Sequence, residues 1–392
     1  MEPRRSFAVY AITRHGLDIA RRIAHALDCA DLLVSERLAD RAPPGARTFP
    51  LPMGPLLETT FARYDAHVFI VSVGAVVRMI APLLRSKKVD PAVVCVDDAA
   101  RFAICVLSGH VGRGNAVTER VAAAIGAAPV VTTASDAIGT LTVDILARDL
   151  GWTLDDPDRN VTRACAAVVN EGRVLFVQET GEPTWWPLEV PLPKGVEYAT
   201  SLDGVDPAAW EMLLIASHRD VARSHPACFA RSVVYRPKSL VLGVGCDRGT
   251  PLALIERGIA ATFATHGLSE MSVHSLATIE KKADEAALLD LSRARGWPLI
   301  TFTAEELDAL DADDGVENPS ERVKVFVGAR GVSEPAALLG AGASRLLVPK
   351  QRYTEDGAGR TMTLAVAEIP FPKRGGAREA RGRGAKGEGA ET

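Results

Sequence analysis

Short apolar runs alternate with amphipathic segments over the first 136 residues. The strand-like run FAVYAIT precedes RHGLDIARRIAHAL, where Leu17, Ile19, Ile23 and Leu27 fall roughly on one helical face. The runs HVFIVSVGAVV, AVVCVDD, FAICVLS and PVVTTAS read as further strands, whereas VRMIAPLLRS and NAVTERVAAAIG read as helices. Only AAR separates AVVCVDD from FAICVLS, which predicts a hairpin. The alternation as a whole is typical of an open α/β sheet.

A smaller α/β unit is predicted over residues 137–236. AIGTLTVDILARDLGW has the composition of a helix, and NVTRACAAVVNEG and RVLFVQETG read as the helix and strand of a new unit. MLLIASHRD and SVVYRPK read as strands or connections. Between Gly181 and Pro193 lie four prolines and the pair Trp185 and Trp186, and this composition favours loop or edge structure.

A third unit, again an open α/β sheet, is predicted over residues 237–370. SLVLGVGCDRGTPLALIERGI reads as a strand, a glycine turn and a helix with Thr250 as its N-cap and Pro251 in its first turn. LATIEKKADEAALLDLSRARGWPLITFTAEEL alternates strand, helix, strand and helix, and GVSEPAALLGAGASRLLVPKQ adds a helix and a strand. Residues 371–392, rich in Gly, Arg, Lys and Glu, are predicted to form a disordered basic tail. The fold class is therefore α/β and multidomain, with domains at 1–136, 137–236 and 237–370.

Length and charge limit the number of domains and the kinds of partner that we expect. A chain of 392 residues is longer than a domain with a single hydrophobic core usually is, so we expect several domains. The net charge is -4 although the tail is basic, so the body is acidic and we expect no nucleic-acid partner. The longest apolar run, Val68 to Val77, falls far short of the roughly 20 residues that span a bilayer, and the start lacks the pattern of a signal peptide. We therefore expect a cytoplasmic protein with no membrane contact.

The cysteines predict no metal site. All six are scattered, without a CxxC pair or a histidine at zinc-ligand spacing. Cys95 and Cys105 lie in apolar strand-like runs, where a free cysteine behaves as a small buried hydrophobe.

The stretch RFAICVLSGHVGRGN is the first candidate site, because in it a predicted strand is followed by a glycine-rich turn and then by a helix. It matches neither a phosphate loop nor a dinucleotide fingerprint. Backbone N–H groups and the helix dipole still favour an oxyanion or carboxylate there, and His110 is a possible general base with Ser108 as a hydroxyl. A tight turn with satisfied polar residues explains the pattern equally well. The other residues of interest in this stretch are Arg101, Gly109, Gly112, Arg113, Gly114 and Asn115, the last at the expected N-cap.

Three further clusters carry polar residues near the ends of predicted elements. In VTTASDAIG these either contact a ligand or cap the next helix; in SVGAVVRMIAPLLRSKK the charged ones are typical of a solvated helix face. In the third unit the charged residues either bind an acidic ligand or form interdomain salt bridges, and the two glycines belong to a second short glycine turn that either holds an anion or is a plain tight turn. The residues are Thr132, Thr133, Ser135 and Asp136; Ser72, Gly74, Arg78, Arg85, Lys87 and Lys88; and Gly243, Gly245, Glu280, Lys281, Glu285, Glu334 and Lys350.

The order and spacing of several motifs resemble one known family. SVGAVVRMIAPLLRSKK, LSGHVGRGN and TTASD resemble the N-terminal and middle regions of the cobalt-precorrin-5A hydrolase (CbiG) family of cobalamin biosynthesis. LVLGVGCDRGTP, LATIEKKADE, NPSERV, GVSEPAALL and VPKQ resemble its C-terminal domain, which also occurs as the separate protein CobE. The resemblance covers nearly the whole chain up to about Ile369.

That resemblance implies hydrolysis of the ring A δ-lactone of cobalt-precorrin-5A, with loss of the C20 fragment as acetaldehyde, to give cobalt-precorrin-5B. The alternative is a non-catalytic protein of the same pathway that binds and transfers a corrinoid intermediate. The cobalt ion belongs to the substrate, so we expect no cofactor. The expected partners are the corrinoid, other cobalamin-pathway enzymes and further copies of this chain.

The expected residue roles follow from the resemblance and from residue type. Catalysis is assigned to His110, Ser108 and Asp136. Substrate binding is assigned to Ser72, Gly74, Arg78, Arg101, Gly109, Gly112, Arg113, Gly114, Asn115, Thr132, Thr133, Ser135, Gly243, Gly245, Lys281, Glu334 and Lys350.

Overall fold

The computed structural model describes residues 5–86, 89–109, 112–133, 139–146, 148–310, 315–319, 328–355 and 359–372. The chain divides into two compact units, Met1–Ile145 and Leu146–Thr392. The first unit contains one sheet and the second contains two, so the predicted multidomain α/β class is confirmed. The boundaries of the three predicted domains stay a prediction. No helix among the described residues is long and apolar enough to cross a bilayer.

The first unit is built on a seven-stranded sheet of order β3-β2-β1-β4-β5-β6-β7. Its strands are β1 (Arg5–Ala11), β2 (Ala30–Ser35), β3 (Arg47–Phe49), β4 (Tyr64–Ile70), β5 (Ala92–Val96), β6 (Phe102–Leu107) and β7 (Ala128–Val130). Neighbours pair in parallel except β5 and β6, which pair antiparallel. The hairpin predicted from the short AAR link is therefore confirmed, and β6 and β7 run opposite to the other five strands.

Helices cover both faces of this sheet, because its strands are apolar on both sides. They are α1 (Arg14–Ala26), α2 (Gly54–Thr60), α3 (Val73–Ile80) and α4 (Gly114–Ile125). Leu17 and Ile23 of α1 share one core with Val121 of α4. Leu57 of α2 and Ile80 of α3 belong to the core on the other face. The predicted helix VRMIAPLLRS begins four residues earlier than expected and ends at Ile80, followed by a 3-10 turn that contains Pro82.

The second unit opens with a five-stranded sheet of order β10-β9-β11-β12-β8. The strands are β8 (Thr153–Leu154), β9 (Val174–Gln178), β10 (Val196–Ala199), β11 (Met212–Ala216) and β12 (Ser232–Arg236), and the helices are α5 (Val161–Val169), α6 (Val221–Ser224) and α7 (Pro226–Ala230). All strand pairs except β12–β8 are parallel. MLLIASHRD and SVVYRPK therefore each contain a strand, which is one of the two alternatives expected for them.

The helix predicted for AIGTLTVDILARDLGW is wrong over its described residues. Gly139 and residues 143–146 form turns, residues 140–142 have no regular structure, and only Arg148–Leu150 form a 3-10 helix. The β-branched residues Thr140, Thr142 and Val143 disfavour a helix here, and Leu141 and Val143 are buried without helical periodicity. Tertiary burial thus decides the conformation of this segment rather than local propensity.

The last sheet has the order β15-β14-β13-β17-β16. Its strands are β13 (Leu240–Cys246), β14 (Val273–Ile279), β15 (Leu299–Phe302), β16 (Leu346–Thr354) and β17 (Thr361–Glu368), and its helices are α8 (Leu252–His266), α9 (Ala286–Arg295), α10 (Ala304–Asp308) and α11 (Ser333–Ala341). β17 runs antiparallel between β13 and β16. The predicted alternation from LATIEKKADE to TAEEL is confirmed as β14, α9, β15 and α10. The N-cap of α8 is Pro251 and not Thr250, whose hydroxyl instead donates to the Asp247 carbonyl.

A buried histidine ties β1 and β4 of the first unit to the end of α2. His67 has no exposed surface. Its Nε2 lies 3.0 Å from the Phe61 carbonyl oxygen, and its Nδ1 lies 3.0 Å from the Tyr10 hydroxyl. Because a carbonyl only accepts, Nε2 carries the hydrogen, and Nδ1 accepts from Tyr10. The neutral imidazole satisfies both partners, and burial lowers the pKa of His67 to about 4.

The lowered pKa of His67 predicts that the first unit loses stability as the pH falls. Between the ordinary pKa of 6.5 and about 4, the unfolded chain binds a proton that the folded chain does not. Stability is therefore complete above this window and is lost as the pH falls through it, by up to roughly 3 kcal/mol. The substitution His67→Gln should remove this dependence, whereas His25→Gln on the exposed side of α1 should keep it.

Urea unfolding followed by far-UV circular dichroism at a series of pH values measures this effect. All five tryptophans lie beyond residue 145, so their fluorescence follows the second unit separately. An unchanged pH slope in His67→Gln would contradict the assignment.

Candidate functional site

The glycine turn after β6 is closed by its own backbone. The carbonyl oxygens of Ser108 and Gly109 accept hydrogen bonds from the N–H groups of Gly114 and Asn115, each at 3.0 Å. Two of the N–H groups that the sequence offered to an anion are therefore already engaged. The N-cap of α4 is Arg113, with a left-handed φ of 60°, so the predicted Asn115 cap is wrong. Asn115 instead lies within the first turn of the helix.

The three glycines of this turn are required by close packing. A β-carbon on Gly112 would lie 2.5 Å from the Ser108 β-carbon, and one on Gly114 would lie 2.8 Å from the Leu107 carbonyl oxygen. A β-carbon on Gly109 would lie 2.6 Å from the Asn115 Oδ1. The path of the chain from β6 into α4 therefore requires glycine at these three positions.

Two of the other predicted clusters meet this turn at the same edge of the sheet. Asn115 Nδ2 donates to Thr133 Oγ1 at 3.0 Å, which joins the turn to the segment after β7 that also holds Thr132. Ser108 Oγ donates to the Asp90 carbonyl at 2.9 Å. The Asp90 carboxylate in turn accepts from the N–H of Arg85 at 3.0 and 3.1 Å.

Five predicted residues lie outside the described residues. They are His110, Ser135, Asp136, Lys87 and Lys88. Their roles stay predictions.

Four other predicted residues lie at the opposite edge, which we call the carboxyl edge because the carboxyl ends of β1, β2, β4 and β5 lie there. Ser72 is the exposed N-cap of α3, and Arg78 Nη1 donates to the Gly74 carbonyl at 3.0 Å. Arg101 lies in the β5–β6 hairpin, with its Nε 3.5 Å from Asp97. Since the six residues of β6 separate the two edges, they are roughly 20 Å apart. The structure therefore does not bring these residues to the glycine turn.

The carboxyl edge contains a histidine and an aspartate that sequence reasoning missed. Thr13, the N-cap of α1, accepts from the Gly16 N–H at 2.9 Å and donates to Asp98 Oδ1 at 2.5 Å. The other oxygen of Asp98 lies 3.7 Å from His15 Nδ1. Two sequence features could have indicated these residues. They are the segment TRHG directly after the first strand and the pair DD directly after AVVCV.

These residues occupy the topological switch point of the sheet. From β1 the chain continues to β2 and β3 on one side and then crosses to β4 on the other. Open α/β sheets bind ligands at this point, outside the carboxyl ends of the strands. A fixed carboxylate and an exposed imidazole 3.7 Å from it are groups of the kind used in acid–base chemistry.

The glycines predicted as ligand contacts in the last sheet instead allow close packing. A β-carbon on Gly243 would collide with the Ser333 carbonyl oxygen and lie 2.7 Å from the Ala337 nitrogen, so α11 rests directly on β13. A β-carbon on Gly245 would lie 2.6 Å from Thr363 Oγ1 on β17.

Glu334 is buried and holds two chain segments together. Its carboxylate accepts four hydrogen bonds, from the N–H groups of Glu317, Asn318 and Lys350 and from Asn318 Nδ2, at 2.7 to 3.1 Å. Lys350 Nζ donates to the Asn318 carbonyl at 2.5 Å. These contacts give both predicted residues a structural task within the last sheet.

Lys281 lies at the carboxyl edge of β14, beside a local charge network. Its carbonyl accepts from Arg248 Nη2 at 2.8 Å. The buried Glu285 accepts from the Gly249 N–H at 2.9 Å and from Lys282 Nζ at 3.0 Å. Burial by itself would raise the pKa of Glu285, but these two donors outweigh it and hold the pKa below the usual range. The bonds shape the turn before α8.

The described residues contain no group of three or more His, Cys, Asp or Glu side chains arranged to hold a metal ion. None of the six cysteines, all of which are described, forms a disulfide bond. Cys95 is buried as expected, and burial raises the pKa of its thiol to about 12. Cys105 is only half-buried.

Comparison with known proteins gives matches along most of the chain. Three family models match in order: cobalamin synthesis G N-terminal at residues 55–136, cobalamin biosynthesis central region at 141–237 and cobalamin synthesis G C-terminus at 240–367. A cobalt-precorrin-5A hydrolase of Priestia megaterium is 40% identical over 94% of this chain and 96% of its own. One from Salmonella typhimurium is 31% identical over 85% and 91%, respectively. Protein CobE of Sinorhizobium sp is 35% identical over 28% of this chain and 70% of its own.

The packing of the glycine turn predicts that Gly114→Ala destabilises the first unit. The added methyl group would press on the Leu107 carbonyl and, at 3.0 Å, on Cys105 Sγ, which should lower the free energy of unfolding by roughly 1–3 kcal/mol. Gly54→Ala, whose methyl group would meet no atom, is the matched control and should not destabilise. Urea unfolding followed by circular dichroism measures both, and equal stabilities would contradict the packing argument.

The bonds of Glu334 predict that Glu334→Ala destabilises the second unit. Three backbone N–H groups would lose their acceptor in a buried site, at a cost on the order of 3 kcal/mol. Glu256→Ala on α8 is the control, because this side chain is 37% exposed and makes only a long ion pair. Tryptophan fluorescence in urea reports the difference. A loss no larger than that of the control would show that Glu334 is not a structural tie.

Proposed function

The chain belongs to the cobalt-precorrin-5A hydrolase (CbiG) family, and on this premise we propose that it hydrolyses cobalt-precorrin-5A in cobalamin biosynthesis. The observation that carries the proposal is the similarity to a curated cobalt-precorrin-5A hydrolase over nearly the full length of both chains. The matched region includes all three sheets. The similarity therefore extends over the complete arrangement of sheets and is not limited to one widespread domain fold.

The proposed reaction opens the ring A δ-lactone and releases the C20 fragment as acetaldehyde, which leaves cobalt-precorrin-5B. Water attacks the lactone carbonyl through a tetrahedral oxyanion, which collapses to a carboxylate and an alkoxide. The alkoxide then forms the aldehyde carbonyl as the bond to the macrocycle breaks, and the macrocycle carbon takes up a proton. The protein must supply a general base for water and donors for the oxyanion. The cobalt ion is part of the substrate, so we propose that no resident cofactor is needed.

We add His15 as a candidate base beside His110. We propose that Asp98, whose Oδ2 lies 3.7 Å from His15 Nδ1, orients this ring so that Nε2 faces the attacking water. Thr13 fixes the position of the carboxylate. Ser72, Gly74, Arg78 and Arg101 lie at the same carboxyl edge, where cationic side chains suit the anionic arms of a corrinoid.

Incubation with cobalt-precorrin-5A, with the acetaldehyde trapped and measured, tests the activity. We expect release by the wild-type protein, and a loss of roughly 10²- to 10⁴-fold in kcat when the residue that acts as the base is replaced. The variants are His15→Ala and His110→Ala, with His25→Ala on the exposed face of α1 as control. Asp98→Asn should lower kcat in parallel with His15→Ala, because it removes the orienting charge.

The outcomes separate the activity from the residue roles. Binding of substrate without acetaldehyde release would contradict the enzyme and favour a corrinoid-transfer protein. Release at wild-type rates by both histidine variants would keep the activity and eliminate both bases.

A further inference from the structure

The second unit contains a cleft of about 750 Å³. One wall is formed by the carboxyl ends of β9 and β10, with Thr180 and Tyr198, and the other by the segment between α11 and β16 and by the residues after β17. The volume is that of a small-molecule site, and the position outside parallel strand ends is where such sites lie. None of the residues discussed above as a candidate for the reaction lines it.

The cleft combines an apolar wall with polar groups. Leu347, Ile369 and Phe371 line it, and Leu347 is 39% exposed although its side chain is large and apolar. Tyr198 already donates to Gln178 Oε1 at 3.1 Å, and the same oxygen accepts from Trp185 Nε1 at 2.9 Å. The polar side of this wall is therefore rigid, and the apolar side offers surface for a ligand to cover.

The two acidic residues of the cleft are occupied by other groups. Glu179 accepts from Arg219 Nη1 at 2.9 Å and from Ser217 Oγ at 2.6 Å. Glu368 lies 3.4 Å from His218 Nδ1. Burial alone would raise the pKa of Glu368, but His218, and further off Arg345, hold it below the usual range. Glu368 is therefore a carboxylate at neutral pH.

Arg345 is the exception among the charged residues of the cleft wall. Within the described part of the chain its guanidinium group makes no ion pair and no side-chain hydrogen bond. A guanidinium group offers paired N–H donors that match a carboxylate in a bidentate geometry. An anionic group entering the cleft would therefore meet an available cation beside apolar surface.

We propose that this cleft binds a tetrapyrrole with free carboxylate arms, one arm pairing with Arg345 while the ring covers Leu347, Ile369 and Phe371. This site rests on the proposed function for its ligand class, and it assigns to the second unit a binding task. The cleft itself supplies no unpaired acid or base for the chemistry.

Calorimetric titration of the full chain with cobyrinic acid, whose arms are carboxylates, and with cobinamide, whose arms are amides, tests the proposal. We expect the acid to bind and the amide to bind at least roughly tenfold more weakly, since it cannot pair with Arg345. Arg345→Gln should raise Kd for the acid by a similar factor. Leu347→Asp should also raise it. Arg352→Gln, an exposed arginine of the same sheet, is the matched control and should leave Kd unchanged.

A charge change in the opposite direction sharpens the test. Arg345 and Glu368 influence each other electrostatically, so Glu368→Gln should lower Kd for an anionic arm and raise it for a cationic ligand. The proposal is overturned if cobyrinic acid does not bind, if Arg345→Gln leaves Kd unchanged, if cobinamide binds as tightly as the acid, or if Glu368→Gln weakens binding. Because binding is measured without turnover, its result is independent of acetaldehyde release.

Discussion

The antiparallel pairing of β5 with β6 is the constraint on which the first unit depends. The AAR link is too short for a crossover, so the chain must turn back on itself and reverse the direction of the last two strands. This reversal places the glycine turn and the threonines after β7 at one edge of the sheet. The ends of β1, β4 and β5, with His15 and Asp98, lie at the other edge. Two chemically distinct edges thus arise from one hairpin.

Both glycine-rich segments bring the backbone of one element against the backbone of another. The first does so where β6 turns into α4, and the second does so within β13, where α11 packs on the strand. Gly114 faces the Leu107 carbonyl, and Gly243 faces the Ser333 carbonyl. A pattern that suggested anion binding therefore also meets a packing requirement, because absence of a side chain serves both purposes.

Buried ionisable groups in this protein are satisfied in two ways. The carboxylates of Glu334 and Glu285 each accept several hydrogen bonds from donors that converge on them. His67 gives up its charge because its partners, a hydroxyl and a carbonyl, suit a neutral ring. Arg345 differs from these groups because it is exposed and, within the described residues, its guanidinium group makes no ion pair and no side-chain hydrogen bond. Its N–H donors are therefore available to a ligand, although its charge also acts on Glu368.

The sequence alone determined the α/β class, most strands and helices, the hairpin and the family, because these depend on local periodicity, turn residues and motif order. It misplaced the caps at Asn115 and Thr250 and assigned a helix to the segment before β8, where burial of Leu141 and Val143 prevails. Only the tertiary structure decided which polar residues meet. Thr133 bonds to Asn115 of the glycine turn, whereas Arg101 lies at the opposite edge of the sheet. His15 lies beside Asp98, although the two are 83 positions apart in sequence. Strand order and strand direction set these distances, and no local pattern encodes them.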